Sequence, residues 1–323
     1  GGRVLLAKLK VDPNLNDSGL RHVALQGEDL VTLGTAGVHV YASAARRWTT
    51  LAAQEPTAHF AETDGRRLLV GLPDSFLVIS DGEVARRTTL EAPLRQILPG
   101  AGAEVFGLDD RGRVLKLDGE TAQVLAQADP GAPPDARFTR AAAVGSLFVA
   151  LGPDGILVHD SAARRYSFTP AAALPPLPVS DALLVPGQGR LWIVSQRSGD
   201  VRSLKIAGDF PAKQLSVESH GSAARAVARA RADGAGLTLV AADGTLLQLA
   251  SPEAQIVPQV GPGLPEGLRP VSMAASGAAY FFASKDRLWL YNQDQRGWLG
   301  PMAAPEGGAG LADIAIAGDR LLG

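Results

Sequence analysis

Residues 30–41 read LVTLGTAGVHVY, and this stretch decides the fold. Two short apolar runs, residues 30–33 and 37–41, flank a turn that contains glycine, which is the pattern of a β-hairpin. Equivalent pairs of runs recur six more times, at residues 68–79, 105–117, 148–159, 192–204, 237–249 and 280–291. The sequence therefore predicts an all-β protein built from seven repeats.

The repeat has a regular length. The residue before each second run is Gly37, Ser75, Gly112, Gly155, Gly199, Gly244 or Asp286. These positions lie about 41 residues apart on average, which is the period of a four-stranded β-propeller blade. A further short strand is predicted before each hairpin and a fourth after it. Residues 223–230 (AARAVARA) have high helix propensity, but their place in the repeat favours a first strand. A β-sandwich or two stacked all-β domains is the alternative.

The two ends of the chain resemble two parts of one repeat. Residues 311–323 contain two strand candidates, and residues 2–11 resemble the second strand of a hairpin and its continuation. We therefore expect one propeller domain over residues 1–323, with eight blades of four antiparallel strands and a composite closing blade from both termini. Seven blades is the alternative. The predicted repeats are 20–56, 57–91, 92–130, 137–175, 178–219, 222–260 and 267–305, with 308–323 plus 1–12 as the closing blade.

Three repeats place an aromatic residue seven positions after the end of the second hairpin strand: Tyr41 to Trp48, His159 to Tyr166, and Tyr291 to Trp298. Residues 43–48 (SAARRW) and 161–166 (SAARRY) are nearly identical, which indicates duplication. Residues 291–302 (YNQDQRGWLGPM) resemble the second half of a kelch repeat, a β-propeller repeat, although the glycine pair of that repeat is absent. The arginine-tryptophan repeat ends also resemble the propeller region of AvrE-type secreted bacterial effectors.

Composition excludes several classes of function. The 31 basic and 33 acidic side chains give a net charge of −2, so nothing favours non-specific binding to nucleic acid or anionic lipid. The absence of cysteine excludes disulfides, thiolate metal sites and a thiol nucleophile. No apolar run is long enough to span a membrane, and residues 1–3 lack the order of a signal peptide. Localisation stays open, with a secreted or periplasmic protein of bacterial origin slightly favoured.

No catalytic or metal-binding residue is predicted. The five histidines show no spacing that would bring two ligands to one metal. His39 and His159 fall inside second hairpin strands, where we expect hydrogen-bonded structural roles. The acidic stretches 109–112, 153–155 and 242–244 are predicted as hairpin turns and not as calcium loops.

One recurrent charge is a candidate for binding. Arginine recurs in or beside the predicted innermost strand, at Arg21, Arg95, Arg140, Arg225 and Arg269, and His22 lies beside the first of these. If these side chains reach one mouth of a central tunnel, they would bind an anion or an acidic peptide, because converging charges focus the potential in a cleft. The alternative is that each arginine is a solvated strand end paired with a neighbouring carboxylate.

The sequence favours a non-catalytic scaffold that binds another protein, with an acidic segment of that partner as the candidate contact. No cofactor is expected, and the propeller is expected to be monomeric. An enzyme or a small-ligand sensor with its site at the tunnel mouth is the first alternative. A module of a larger secreted effector or surface protein is the second.

Overall fold

The structure is a computed structural model, and its described residues cover most of the chain after residue 21. They are residues 22–26, 29–34, 37–42, 44–52, 60–63, 67–80, 83–100, 104–117, 121–125, 132–207, 214–233, 235–243, 245–258, 265–266, 268, 270, 272–276, 279–284, 287–292, 294–295, 297–303, 314–317 and 320–322.

The described residues form seven four-stranded antiparallel sheets and one two-stranded sheet, named A to H here, and each follows chain order. Sheets A to D consist of β1 His22–Gln26, β2 Asp29–Gly34, β3 Gly37–Ala42 and β4 Arg47–Ala52; β5 Phe60–Thr63, β6 Leu68–Gly71, β7 Ser75–Ser80 and β8 Glu83–Thr89; β9 Leu94–Pro99, β10 Val105–Asp109, β11 Val114–Lys116 and β12 Gln123–Val124; and β13 Arg140–Val144, β14 Leu147–Gly152, β15 Gly155–Asp160 and β16 Arg165–Pro170. Sheets E to H consist of β17 Ala182–Gly187, β18 Arg190–Ser195, β19 Asp200–Ala207 and β20 Gln214–Ser222; β21 Val227–Asp233, β22 Gly236–Ala241, β23 Leu246–Leu249 and β24 Val257–Pro258; β25 Ser272–Ser276, β26 Ala279–Ser284, β27 Arg287–Asn292 and β28 Gly297–Ala303; and β29 Ala315–Ala317 and β30 Arg320–Leu322. A 3-10 turn, Ala171–Ala173, follows β16.

The seven predicted hairpins are confirmed, because each corresponds to the second and third strands of one four-stranded sheet. The presence of seven separate four-stranded sheets also excludes the β-sandwich alternative, which would have two large sheets. Of residues 223–230, those from Val227 onward form the first strand of sheet F and not a helix. Residues 1–21 lie outside the described residues, and so does the predicted joining of the two chain ends.

Sheets A to E belong mainly to one compact unit, residues 12–195 and 201–219. The middle strands of its sheets are buried on both faces because alternate side chains point to opposite neighbours. In β14, Phe148 and Ala150 pack with Phe106 of sheet C, whereas Val149 and Leu151 pack with Leu191 of sheet E. Continuous apolar runs, rather than alternating ones, follow directly from this double burial.

The first strands of successive sheets lie side by side in this unit: β1 beside β5, β5 beside β9, β9 beside β13 and β13 beside β17. Side chains connect two of these neighbours. The Gln96 amide donates to Ala141 O at 2.8 Å and accepts the Ala141 N–H at 3.2 Å. Five sheets are thus stacked face to face with their first strands along a common edge.

The second unit comprises, among the described residues, 196–200 and those from 220 onward, and it contains sheets F, G and H. Val240 of sheet F packs with Phe282, Trp289 and Tyr291 of sheet G. On the other face of sheet G, Leu288 packs with Ile314 just before β29, and β29 lies beside β25. The first strand of sheet H, β29, therefore lies beside the first strand of sheet G, in the way that the first strands of successive sheets lie side by side in the other unit.

The duplicated stretches form the same turn. Arg46 and Arg164 occupy the same place in SAARRW and SAARRY, and both have left-handed backbone, with φ of 50° and 53°. The predicted aromatic pairs then face each other across the third and fourth strands: Tyr41 opposite Trp48, His159 opposite Tyr166, and Tyr291 opposite Trp298. Their ring centroids are 5.3, 4.3 and 4.9 Å apart, a separation at which ring pairs stabilise a sheet.

Candidate functional site

The structure describes the side chains of three of the six predicted partner-binding residues, Arg95, Arg140 and Arg225. Arg21 and Arg269 lie outside the described residues. His22 is described only through its backbone, as the first residue of β1 opposite Leu33. The three described arginines lie in or beside the first strands of sheets C, D and F.

Arg95 and Arg225 have equivalent partners. Nε of Arg95, in β9, donates to Oδ1 of Asp110 at 2.7 Å, and Nη1 of Arg225, two residues before β21, donates to Oδ2 of Asp243 at 2.8 Å. Both aspartates lie in the turn between the second and third strands of the same sheet as the arginine. All four side chains are between 43% and 57% exposed, so solvent screens both pairs. These contacts match the alternative of a strand-end arginine paired with a carboxylate.

Arg140 has a different role. Its Nε donates to Ala182 O at 3.1 Å and its Nη1 to Thr139 O at 2.8 Å. Ala182 is the first residue of β17, so the guanidinium joins the first strands of sheets D and E in the way that Gln96 joins those of C and D. Two of its donors are used for this purpose.

The second-to-third-strand turn of sheet C brings several charged side chains together. We call six residues the sheet C charge cluster: Glu91, Arg95, Asp109, Asp110, Arg111 and Arg113. Three are acidic and three basic, so the cluster is neutral overall. It was predicted only as a turn, and the spacing of Asp109 and Arg113 was the one available signal for an ion pair.

Asp109 is the buried centre of this cluster. Its fully buried carboxylate accepts the main-chain N–H groups of Arg111 at 3.0 Å and Arg113 at 2.7 Å, both through Oδ1. Oδ2 accepts Nε of Arg113 at 2.7 Å. Three hydrogen bonds, one of which is also an ion pair, satisfy the buried charge, as a buried carboxylate requires.

The turn is also fixed to the next sheet. Gly112 has φ of 77°, and its carbonyl accepts the N–H of Phe138, which precedes β13, at 2.8 Å. A Cβ on Gly112 would lie 2.9 Å from Phe138 O. Both the left-handed backbone and the close approach therefore require glycine here.

The outer part of the cluster is exposed. Arg113 donates its Nη1 to Glu91 Oε2 at 2.7 Å, and Arg111 Nη1 lies 3.7 Å from the same oxygen. The hydrogen bond and the charge of Arg113 lower the pKa of Glu91 below its ordinary value of 4.5. In the turn of sheet F, hydrogen bonds from the Thr245 backbone and side chain, with Arg225, lower the pKa of Asp243 below 3.8. Both carboxylates stay ionised at neutral pH.

A second polar cluster lies between sheets C and D. Glu104 Oε1 lies 3.3 Å from Lys116 Nζ, and Glu104 Oε2 lies 3.3 Å from Nε2 of the buried His159. Burial acts to raise the pKa of Glu104, but hydrogen bonds from Ser161, Lys116 and His159 outweigh it, and the pKa is lowered below 4.5. The sequence carried no signal for this cluster, because its members are separated by up to 57 residues.

The hydrogen bonds expected of two histidines are present. His39 Nδ1 lies 3.0 Å from Thr50 Oγ1, and His159 Nδ1 lies 3.2 Å from Arg165 O. His159 also stacks on Tyr166 and meets Phe106 edge-on at 5.1 Å. Residues 110–112, 153–154 and 242–243 lie in turns, as predicted, whereas Asp109 ends β10 and Gly155 begins β15.

Within the described ranges, no group of three or more His, Asp or Glu side chains is placed to hold a metal ion. No helix in this part of the chain is long and apolar enough to cross a membrane.

No protein-family model matches the sequence, and the search of curated proteins found no relative. Solved structures do match. The computationally designed protein Ika8 matches with a TM-score of 0.68 at 12% identity, over 95% of this chain and 93% of that one. Sqt1 of Saccharomyces cerevisiae matches with a TM-score of 0.62 at 9% identity, over 92% of this chain and 89% of that one. A chain of the mitotic checkpoint complex matches with a TM-score of 0.52 at 12% identity, over 88% and 96%.

Sqt1 and the mitotic checkpoint chain are WD40-like propellers. At these identities the likeness concerns the fold alone, and it agrees with the seven four-stranded sheets. The chain is thus an all-β protein of propeller-like architecture. The neighbours do not single out kelch repeats or AvrE-type effectors.

Proposed function

We propose that the chain is a propeller scaffold that binds another protein through the turns at the ends of its sheets. The observation that carries the proposal is the sheet C charge cluster, in which exposed charges are fixed by a buried one. Glu91 and Arg111 are 75% and 58% exposed, yet Asp109 and Arg113 fix the turn beneath them. A fixed charged turn loses little entropy on binding, which favours recognition. The propeller-like neighbours support the same class of function.

The proposal includes the finer architecture. Sheet H lies beside sheet G as a first strand lies beside the previous first strand, which supports an eighth blade completed by residues 1–12. We propose one domain over residues 1–323 with the repeat bounds given above, and seven blades as the alternative. The cross-strand aromatic pairs of sheets A, D and G support a kelch-like character of those three repeats.

Arg21, Arg95, Arg140, Arg225, Arg269 and His22 remain proposed partner-binding residues. The positions of Arg95 and Arg225 support a role in binding, because each guanidinium is about half exposed and lies at an exposed turn, beside an aspartate. A partner carboxylate would have to compete with Asp110 or Asp243 for them. Arg140 has less free capacity, because it already binds Ala182 O and Thr139 O.

Site-specific photo-crosslinking tests the function. In one variant a benzophenone amino acid replaces Arg111, in the turn between the second and third strands of sheet C. In the control variant it replaces Arg164, an exposed arginine in the turn between the third and fourth strands of sheet D. The protein is irradiated in cells of its own source, and adducts are identified by mass spectrometry. We expect a discrete protein adduct from position 111 that position 164 does not give. Equal, diffuse adducts from both positions, or none from either, would count against a scaffold that uses these turns.

A further inference from the structure

Two exposed arginines lie on adjoining segments of sheets C and D. Arg111 belongs to the sheet C charge cluster, and Arg137 belongs to the segment that precedes β13. The two segments are in contact, because Gly112 O accepts the N–H of Phe138 at 2.8 Å. A Cβ on Gly112 would lie 3.4 Å from Cδ of Arg137. We call Arg111 and Arg137 the turn arginine pair.

Each arginine of the pair is fixed at its main chain by an aspartate. The N–H of Arg111 donates to Asp109 Oδ1 at 3.0 Å, and the N–H of Arg137 donates to Asp154 Oδ2 at 2.8 Å. Asp109 ends β10, and Asp154 lies in the turn between the second and third strands of sheet D. The backbone that carries both side chains is therefore ordered before a partner binds, which lowers the entropy lost on binding.

The fold neutralises the two guanidinium groups only weakly. Nη1 of Arg111 lies 3.7 Å from Glu91 Oε2, an oxygen that already accepts Nη1 of Arg113 at 2.7 Å. Nη1 of Arg137 donates to two main-chain carbonyls of its own segment, and no carboxylate of the described residues lies within ion-pair distance of it. A guanidinium carries more N–H donors than these contacts use, so each arginine has donors left for another molecule.

We propose that the turn arginine pair binds a short acidic segment of the partner protein through its Asp or Glu side chains; this rests on the proposed scaffold function. Guanidinium and carboxylate groups match in shape, because two parallel N–H···O bonds join them. Two neighbouring arginines select a segment with neighbouring carboxylates over one with a single charge.

The surrounding charges favour carboxylates over phosphoryl groups. The sheet C charge cluster is neutral, and Arg137, Asp135 and Asp154 add one positive and two negative charges, so the wider surface has a net charge of −1. A carboxylate carries one negative charge, whereas a phosphoryl group carries about −1.5 to −2 at pH 7. The wider surface therefore opposes the more highly charged group.

Peptide binding in solution tests the proposal. The probes are fluorescein-labelled Gly-Ser hexapeptides with Glu-Glu, Lys-Lys or two phosphoserines at the centre, followed by fluorescence anisotropy at low ionic strength. We expect the Glu-Glu peptide to bind, the Lys-Lys peptide not to bind, and the phosphoserine peptide to bind no more tightly than Glu-Glu. Absence of Glu-Glu binding would overturn the proposal, and tighter binding of phosphoserine by about tenfold or more would overturn the choice of carboxylates.

Matched variants locate the site. R111Q and R137Q should each weaken Glu-Glu binding about two- to fivefold, the range of one exposed ion pair. R111E/R137E should weaken it at least about tenfold, because attraction becomes repulsion. R164E/R165E makes the same change of charge at two exposed arginines of sheet D and should leave binding within about twofold. An effect of only one single variant, or an equal loss in R164E/R165E, would contradict the pair. R111Q/R137Q replaces R111E/R137E if circular dichroism shows that the latter is misfolded.

Crosslinking separates this proposal from the scaffold function. A benzophenone amino acid at position 111 removes one arginine of the pair, so a further variant carries it at Pro134, which is exposed in the same segment as Arg137. We expect the partner segment captured from position 134 to contain Asp or Glu residues, and R137Q to lower its yield. A discrete adduct whose captured segment has no acidic residue would overturn the acidic segment and leave the scaffold function standing. If neither position gives a discrete adduct, the scaffold function fails and this proposal fails with it.

Discussion

Replacing Asp109 by asparagine tests whether the buried ion pair holds the sheet C turn. The substitution keeps the shape of the side chain, and its Oδ1 can still accept the N–H groups of Arg111 and Arg113. The second position becomes an NH2 group, which faces Nε–H of Arg113, so a donor meets a donor at the place of a 2.7 Å ion pair. The guanidinium, 17% exposed, then keeps Glu91 as its remaining carboxylate partner.

The expected loss follows from these contacts. Removing one partner of a buried ion pair costs about 3–5 kcal/mol. Because the main-chain bonds and Glu91 persist, we expect the lower end, a loss of about 3 kcal/mol in the free energy of unfolding. Urea unfolding followed by tryptophan fluorescence measures it.

The neighbouring residue provides the control. Asp110→Asn makes the same chemical change in the same turn, but Asp110 and its partner Arg95 are both about half exposed. Exposed pairs contribute at most about 1 kcal/mol. If D109N and D110N lower stability equally, or if D109N costs less than about 1 kcal/mol, the reasoning that the buried pair fixes the turn is wrong.

Two further predictions concern the contacts between sheets C and D. The pKa of Glu104 is lowered in the folded protein, so its stabilising contribution is complete above pH 4.5 and is lost as the pH falls through the lowered pKa. E104Q should therefore lower the free energy of unfolding at pH 7 by about 1–3 kcal/mol and flatten its fall on acidification, measured by urea unfolding from pH 7 to pH 3; an unchanged acid profile would contradict this. Gly112→Ala should lower the free energy of unfolding more than Gly145→Ala does. Both glycines have positive φ, but only a Cβ at position 112 meets Phe138 O, at 2.9 Å. Position 145 should lose about 1 kcal/mol from backbone strain alone, and equal thermal midpoints of the two variants would refute the role of the close approach.

The fold was predictable because its determinants are local in sequence. Hairpins such as residues 30–41 need only apolar runs and a turn, and the repeat length then restricts the architecture. The aromatic spacing of Tyr41 and Trp48 likewise predicted a constant geometry, which proved to be a cross-strand pair. Register follows from turn length once the two strands are known.

The partners of the polar side chains were not predictable. Glu104 and His159 lie 55 residues apart, and they meet because sheets C and D stack face to face. Arg95 and Arg140 looked alike in the sequence, since both lie at the start of a predicted first strand. One binds a turn aspartate and the other a main-chain carbonyl of the next sheet, a difference that depends on which residue the adjacent strand presents. The sequence predicted a ring of arginines because these residues occupy equivalent positions in their repeats. In the structure, arginines at equivalent positions bind different kinds of partner.

The different partners of equivalent arginines indicate which residues of a repeat fold can bind another molecule. Apolar side chains of the middle strands are fixed by two neighbouring sheets, so they vary little in role from sheet to sheet. Polar residues at strand starts and turns are free of that constraint, and two of the described pairs neutralise each other: Arg95 with Asp110, and Arg225 with Asp243. A charge that a sheet neutralises itself contributes mainly to stability. A charge that a sheet leaves exposed on a fixed turn, as at Arg111 in sheet C, can attract the charge of another molecule, and for this reason that turn is the place to look for the partner.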